Sequence, residues 1–210
     1  MKTSTWILTF ALFGIFPTFG LSQTFTVDDP SGRDTIRFVL DAPLEVINGI
    51  SNTVKGSFEF KQNKAKGSFQ VPVTSITTGI TKRDEHLQND KWLDAKKFPQ
   101  LVFTVTNLEV PASLWEGGSV TLEAKGEFEI HGKKKSQMIK MQLNYLKESD
   151  QTRKRLPGNL LRVKASFPIQ LKDFEIAQSD SAVKGLLGLK VGEVAEVSVD
   201  LMATDKSTKN

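Results

Sequence analysis

The chain contains no cysteine, two histidines and a single tyrosine. Without cysteine there is no disulfide framework, no thiolate metal site, no cysteine nucleophile and no lipidated cysteine behind a leader. With so few imidazoles a metal centre at His86 has almost no ligands, since His131 is the only other histidine. No Gly-x-Ser-x-Gly elbow offers a serine nucleophile. No cofactor motif, internal repeat or low-complexity segment appears either. Long apolar runs are equally scarce. The one that exists, Trp6 to Phe16, is interrupted by Thr9 and Gly14 and followed by Pro17, Thr18 and Gly20, short of the roughly 20 residues a membrane helix needs. With Lys2 ahead of it and Gly20-Leu21-Ser22 behind, residues 1–22 read as a secretory leader. The mature chain is then expected to begin at Gln23, and the protein to be exported, periplasmic if the source is bacterial.

The 28 Lys and Arg against 24 Asp and Glu leave a formal charge of +4, with both signs interspersed. Local basic concentrations occur at Lys133-Lys134-Lys135, expected in a turn, and at 147–155, expected in a solvated loop. Neither carries an interleaved aromatic platform, so nucleic acid is not an expected partner.

What the sequence does have is alternation. Val120, Leu122, Ala124, Gly126, Phe128 and Ile130 share one face, and Thr121, Glu123, Lys125, Glu127 and Glu129 the other. Only a strand has this period of two. The same pattern marks strands at 36–40, 44–60, 67–76, 101–108, 120–130, 137–145, 161–171 and 194–203. About eight strands with too few helices to cover them must pack sheet on sheet or close on themselves, and eight is a number that closes well. Short links make neighbours antiparallel, in a meander. Asn48-Gly49 reads either as a turn or as a bulge in the second strand. One link, 76–101, is long enough for one or two helical turns before Phe98-Pro99, and is expected to cap an end of the barrel. Residues 23–203 form one domain, and 204–210 read as a polar tail, disordered in character.

The inward set is nearly all carbon: Phe58, Phe69, Phe103, Leu122, Phe128, Ile139, Met141, Leu143, Val163, Phe167, Val199 and Leu201, with Phe60, Val71, Val105, Ile169 and Val197 on the same faces. Ala124 and Ala165, with Gly56, Gly67 and Gly126, leave space that larger side chains would fill. A solid tapered core and a ligand cavity both fit this composition. By parity nearly every charged residue points outward. Only the helical loop gathers titratable groups, Arg83, Asp84, Glu85 and His86, with Arg83 and Leu87 spaced to share a face toward the barrel mouth.

Thr78-Gly79-Ile80, then Arg83-Asp84-x-His86-Leu87, then Trp92-Leu93-Asp94-x-x-Lys97-Phe98-Pro99-x-Leu101-x-Phe103 resemble the signature of the YceI-like polyisoprenoid-binding family. Gly126-Glu127-Phe128-Glu129-Ile130-His131-Gly132, Leu171-Lys172-Asp173-Phe174 and Val191-Gly192-Glu193 are similar to its later blocks. The start departs from the family, with Asp28-Asp29-Pro30-Ser31-Gly32-Arg33 where a histidine is often found, and 42–56 looks like a variant branch. The resemblance implies an all-β, lipocalin-like antiparallel barrel with a short helical loop, holding a long-chain amphiphile in its lumen. The family carries no firmly attached enzymatic activity, and the residues themselves offer no catalytic set, cofactor motif or metal site. The inward residues above would line the channel, and Arg83 and His86 would stand beside it. Transient contact with a membrane surface is left open as a further partnership, and so is the oligomeric state. The competing reading is a lipid-modifying enzyme using the Arg83/His86 loop.

Overall fold

The computed structural model describes residues 22–177 and 181–206. The leader expected at 1–22, apart from Ser22, and the last four residues of the tail lie outside the described residues. The described chain holds ten strands and two short helices: β1 (Gln23–Val27), β2 (Thr35–Ala42), β3 (Glu45–Ser51), β4 (Lys55–Lys61), β5 (Lys64–Pro72), α1 (Thr81–Gln88), β6 (Gln100–Glu109), β7 (Ser119–Ile130), β8 (Lys133–Leu146), β9 (Leu160–Gln170), α2 (Ser181–Lys184) and β10 (Val194–Thr204). All neighbours pair antiparallel, and β4 to β10 form a meander.

Ten strands make a closed ring of eight positions because two positions are shared. The order β1-β4-β5-β6-β7-β8-β9-β10 is closed by the pair Thr26 and Thr204. The rest of the free edge of β10 is taken by β2, with β3 beyond it. Ile50 of β3 bridges to Thr77, just past β5, so the upper part of the ring closes too. The expected strand at 44–60 is therefore two, β3 and β4, broken at Asn52-Thr53-Val54. Polar side chains make the corner: Ser51 Oγ accepts from the Thr53 amide at 3.2 Å, and Asn52 Nδ2 donates to the Gly32 carbonyl at 2.9 Å. Gly49 is neither turn nor bulge. It sits in regular register opposite Phe38, whose ring lies where a Cβ would be.

Burial follows parity. On β7, Ala124, Gly126, Phe128 and Ile130 are buried while Glu123 and Lys125 are exposed. Lys133-Lys134-Lys135 are not in a turn; they open β8. The turn is His131-Gly132, both at positive φ (51° and 71°), the geometry a two-residue hairpin favours. Lys134 then lies across from Glu127 and Glu129, within 3.3 and 3.5 Å. The expected tail is also shorter than 204–210. Thr204 ends β10 with its hydroxyl on the Pro157 carbonyl, and Asp205 takes two hydrogen bonds from Asn159, at 2.9 and 2.7 Å.

The lower end is filled. Phe25, Phe60, Trp115 and Tyr145 pack together, Phe25 stacked on Trp115 and the other pairs edge to face, Phe60 and Trp115 with centroids 5.0 Å apart and Trp115 and Tyr145 5.3 Å apart, next in sequence to fully buried Leu114. Beside this plug runs a charged seam. Arg155, expected in a solvated loop, reaches Asp29 at 2.9 Å and Asp34 at 3.4 Å. Asp34 is only 2% exposed, and its Oδ1 accepts from the Met202 amide at 2.8 Å while Oδ2 has no partner. Burial pushes its carboxyl up to about 6, against the pull of the Met202 hydrogen bond.

A raised folded-state value means that folding retains a proton the unfolded chain releases near pH 4, so stability falls as pH rises from about 4 to 6. Asp34→Asn should remove that slope. The stability difference between wild type and variant should drift by on the order of 2–3 kcal/mol across this window in urea titrations at several pH values. Parallel curves for the two proteins would show that Asp34 ionises freely in the fold.

Candidate functional site: an apolar chamber and its vestibule

Above the plug the barrel is hollow. A chamber of about 150 Å³ is lined by Phe58, Phe69, Phe103, Phe128, Ile139, Met141, Val163, Ala165, Phe167, Val199 and Leu201, together with Ile36, Phe38, Val71, Ile76, Leu101, Val102, Ile130, Ile169 and Val197. The single hydroxyl in the lining, Ser51, is bonded to Ser75 at 2.7 Å. No titratable side chain lines it. The rings are seated on glycines: a Cβ at Gly126 would fall 1.9 Å from Phe103 Cε2, so that ring lies flat over the strand and stacks on Phe128 at 4.5 Å.

Three residues expected in the lining are not there. Leu122, Ala124 and Leu143 do face inward, and Ala124 and Leu143 are fully buried, but none of the three lines the chamber or the vestibule, although Met141, Ile139 and Val163 opposite them in register do line the chamber. Parity tells which face a residue occupies and not the height at which the barrel is filled.

The chamber opens upward into a wider vestibule of about 510 Å³, the two sharing Phe38, Ile76, Leu101, Ile130, Ile169 and Val197 as walls. Its upper lining is mixed: Leu40, Ile47, Leu87, Trp92, Leu93, Leu186 and Val191 with Glu45, Thr78, Arg83, His86, Asn89, Lys91 and Lys190. The long connection thus lies over the barrel mouth, and Arg83, His86 and Leu87 do share a face toward it.

The loop is built around Asp84. Its carboxylate accepts from Thr77 Oγ1 at 2.7 Å, the Thr78 amide at 2.7 Å and Thr78 Oγ1 at 2.5 Å, fixing the chain just ahead of α1. Partial burial pushes its carboxyl upward, but these hydrogen bonds prevail and hold it below the ordinary value. Arg83 does not pair with Asp84. It donates to Thr78 Oγ1 at 3.0 Å and meets Glu45 of β3 at 2.6 Å, stapling α1 to the barrel wall. His131 is a structural pin: its Nδ1 lies 3.1 Å from the Phe174 carbonyl and its ring packs against Phe98.

Of the walls the sequence reading omitted, Ile36 and Phe38 alternate with Arg37 on a strand it had recognised, so parity would have found them. Trp92, Leu93, Val183 and Leu186 lie outside any strand, and no periodicity marks them.

A family model described as the YceI-like domain matches residues 24–203, nearly all of the described barrel. The chain belongs to the YceI-like family. A UPF0312 protein of Vibrio vulnificus (strain YJ016) is 26% identical over 136 residues, 63% of this chain and 69% of its own length. Protein YceI of Escherichia coli O6:H1 is 29% identical over 139 residues, 60% of this chain and 73% of its own. Among solved structures, Burkholderia cenocepacia BcnA superposes with a TM-score of 0.64 at 18% identity, covering 85% of this chain and 99% of its own. A polyisoprenoid binding domain from Saccharophagus degradans, implicated in plant cell wall breakdown, gives 0.63 at 14% identity, covering 87% and 98%. At these identities the structural likeness fixes the barrel alone, and the YceI-like motifs lie where the fold needs them: Thr78 and Asp84 build the loop, and His131-Gly132 makes the β7–β8 turn.

Proposed function

We propose that this YceI-like chain is an exported carrier that shields a long-chain amphiphile, such as a polyisoprenoid, an isoprenoid quinone or a fatty-acid derivative, without catalysis. The observation that carries this reading is a chamber with carbon on nearly every wall, opening into a vestibule whose polar side chains ring the outer end. A hydrocarbon chain fits below and a polar end above. A solved relative of this fold is a polyisoprenoid binding domain, which supports the same class of guest. The leader-like residues 1–22 support export.

Affinity needs no elaborate polar site. Each buried methylene contributes roughly 0.8 kcal/mol, so about ten offset the ~8 kcal/mol of micromolar binding before association costs are subtracted. Chain type is correspondingly weakly specified, since one methylene discriminates little.

Native mass spectrometry of protein purified without detergent, followed by organic extraction, tests the reading. The expected result is an adduct that extracts as a long-chain lipid, and displacement of a fluorescent fatty acid by it. Protein that carries nothing and binds no fatty acid would refute it. In the same assay Arg83→Ala and His86→Ala should each change affinity by less than about tenfold, ~1.4 kcal/mol, because both stand at the rim and the chamber supplies the binding energy. Loss of all binding in a folded variant would instead favour a site that reads the head group, and with it the lipid-modifying enzyme.

A further inference from the structure

Of the six large hydrophobic side chains exposed among the described residues, five, Leu44, Val46, Ile80, Leu186 and Leu189, gather at the barrel mouth. Their adjacency follows from the backbone. The Leu44 amide donates to the Leu189 carbonyl at 3.1 Å, joining the β2–β3 tip to the segment after α2. The antiparallel bridge between Ile50 and Thr77 runs the chain up to Ile80 alongside β3, and the ion pair of Arg83 with Glu45 holds it there. On β3, Glu45 and Ile47 turn into the vestibule, so Leu44 and Val46 face outward. Leu186 belongs to both rim and vestibule.

Exposed apolar side chains contiguous with one another mark an interaction surface. We infer that this rim docks the barrel mouth onto an anionic lipid bilayer, the apolar side chains entering the interface. Charge selects this occupant. From Ser181 to Gly192 the chain carries Lys184 and Lys190 and no acid, and with Glu193, whose carboxylate lies against Gly188, the segment bearing Leu186 and Leu189 keeps a net positive charge toward its partner. Continuity with the vestibule selects it as well: a hydrocarbon chain passing between bilayer and chamber avoids water only if the mouth is seated in the lipid. A second copy of the chain would bring lysine against lysine and would cover the mouth.

The inference rests on the carrier reading for its purpose, and the test separates the two. Sedimentation with vesicles of phosphatidylcholine alone and of phosphatidylcholine with phosphatidylglycerol is compared for wild type, Leu44→Glu/Leu189→Glu, Lys184→Glu/Lys190→Glu and the control Met138→Glu, a residue 57% exposed on β8 away from the mouth. Melting curves first confirm that each variant is folded. Wild type and the control should bind alike, the leucine variant should lose about tenfold or more, and the lysine variant should lose the preference for phosphatidylglycerol over phosphatidylcholine. Failure of wild type to sediment, or equal binding by all four proteins, overturns docking. So does a wild-type dimer that the leucine variant converts to monomer without any vesicle binding. If a fatty acid dispersed in solution binds but vesicles do not, docking alone falls. If vesicles bind and no fatty acid does, the carrier reading falls and the membrane face stands.

Discussion

Ala165→Phe should weaken uptake of a long-chain fatty acid by about a hundredfold or more, ~2.8 kcal/mol, while leaving the barrel folded. Ala165 lies in register between Met141 of β8 and Val199 of β10, and all three line the inner chamber. A phenyl ring there occupies much of a space of about 150 Å³ that the guest needs. Because the ring enters a void, stability should stay within about 1 kcal/mol of wild type. Ala124→Phe is the counterpart. Ala124 is fully buried and lines neither the chamber nor the vestibule, so the same ring has no such space to enter. It should cost about 1–3 kcal/mol by overpacking and, in the molecules that fold, leave affinity nearly unchanged. Fluorescent fatty-acid titration and thermal melts on the pair decide the matter. If both variants lose stability and binding together, the hollow and filled levels of the barrel are not distinct.

Gly56→Ala should give the largest loss of stability, about 3 kcal/mol, which for a chain of this size lowers Tm by roughly 6–12 °C. Gly56 of β4 stands opposite Phe69 of β5, and a Cβ on it would lie 2.3 Å from the Ser68 carbonyl oxygen and 2.8 Å from the Phe69 Cα. Both are backbone atoms of the neighbouring strand. No rotamer change relieves them, so β4 and β5 would have to part, against the pairing of β4 with β1 on its other edge. Gly126→Ala is a milder case despite its shorter clash, because the obstacle is the Phe103 ring and a ring can swing. Gly56→Ala within about 1 kcal/mol of wild type in urea denaturation would show that the sheet yields more easily than its geometry implies.

The barrel was legible in the sequence because each long strand buries one face. Val120 to Ile130 alternates without interruption, and its register with β6 and β8 leaves the strand no other orientation. β1 escaped notice: five residues with Phe25 and Val27 inward are too few to show a period. The corner at Asn52 was missed for a different reason, since hydrogen bonds to residues twenty positions earlier make it, and local composition does not report them. The site divides the same way. Its strand-borne walls follow from parity, while its height in the barrel depends on where Phe25, Phe60, Trp115 and Tyr145 meet, which is a tertiary fact. The loop residues Arg83 and His86 were recognisable from the YceI-like motif; that Arg83 is committed to Glu45 was not.

The seam between Thr26 and Thr204 bears on how fast the molecule forms. From β4 to β10 six antiparallel pairs join strands that are neighbours in sequence, and those closed by two-residue turns, β4–β5 and β7–β8, can nucleate locally. The closing pair must instead wait until the first strand finds the last. Chain entropy makes this wait slow and not very destabilising, since each doubling of a loop adds only about 0.6 kcal/mol. Refolding should therefore fall in the millisecond-to-second range of proteins dominated by distant pairings. Until the seam joins, β1 and the last residues of β10 are open edges, and the half-made ring is the species most exposed to pairing with another chain.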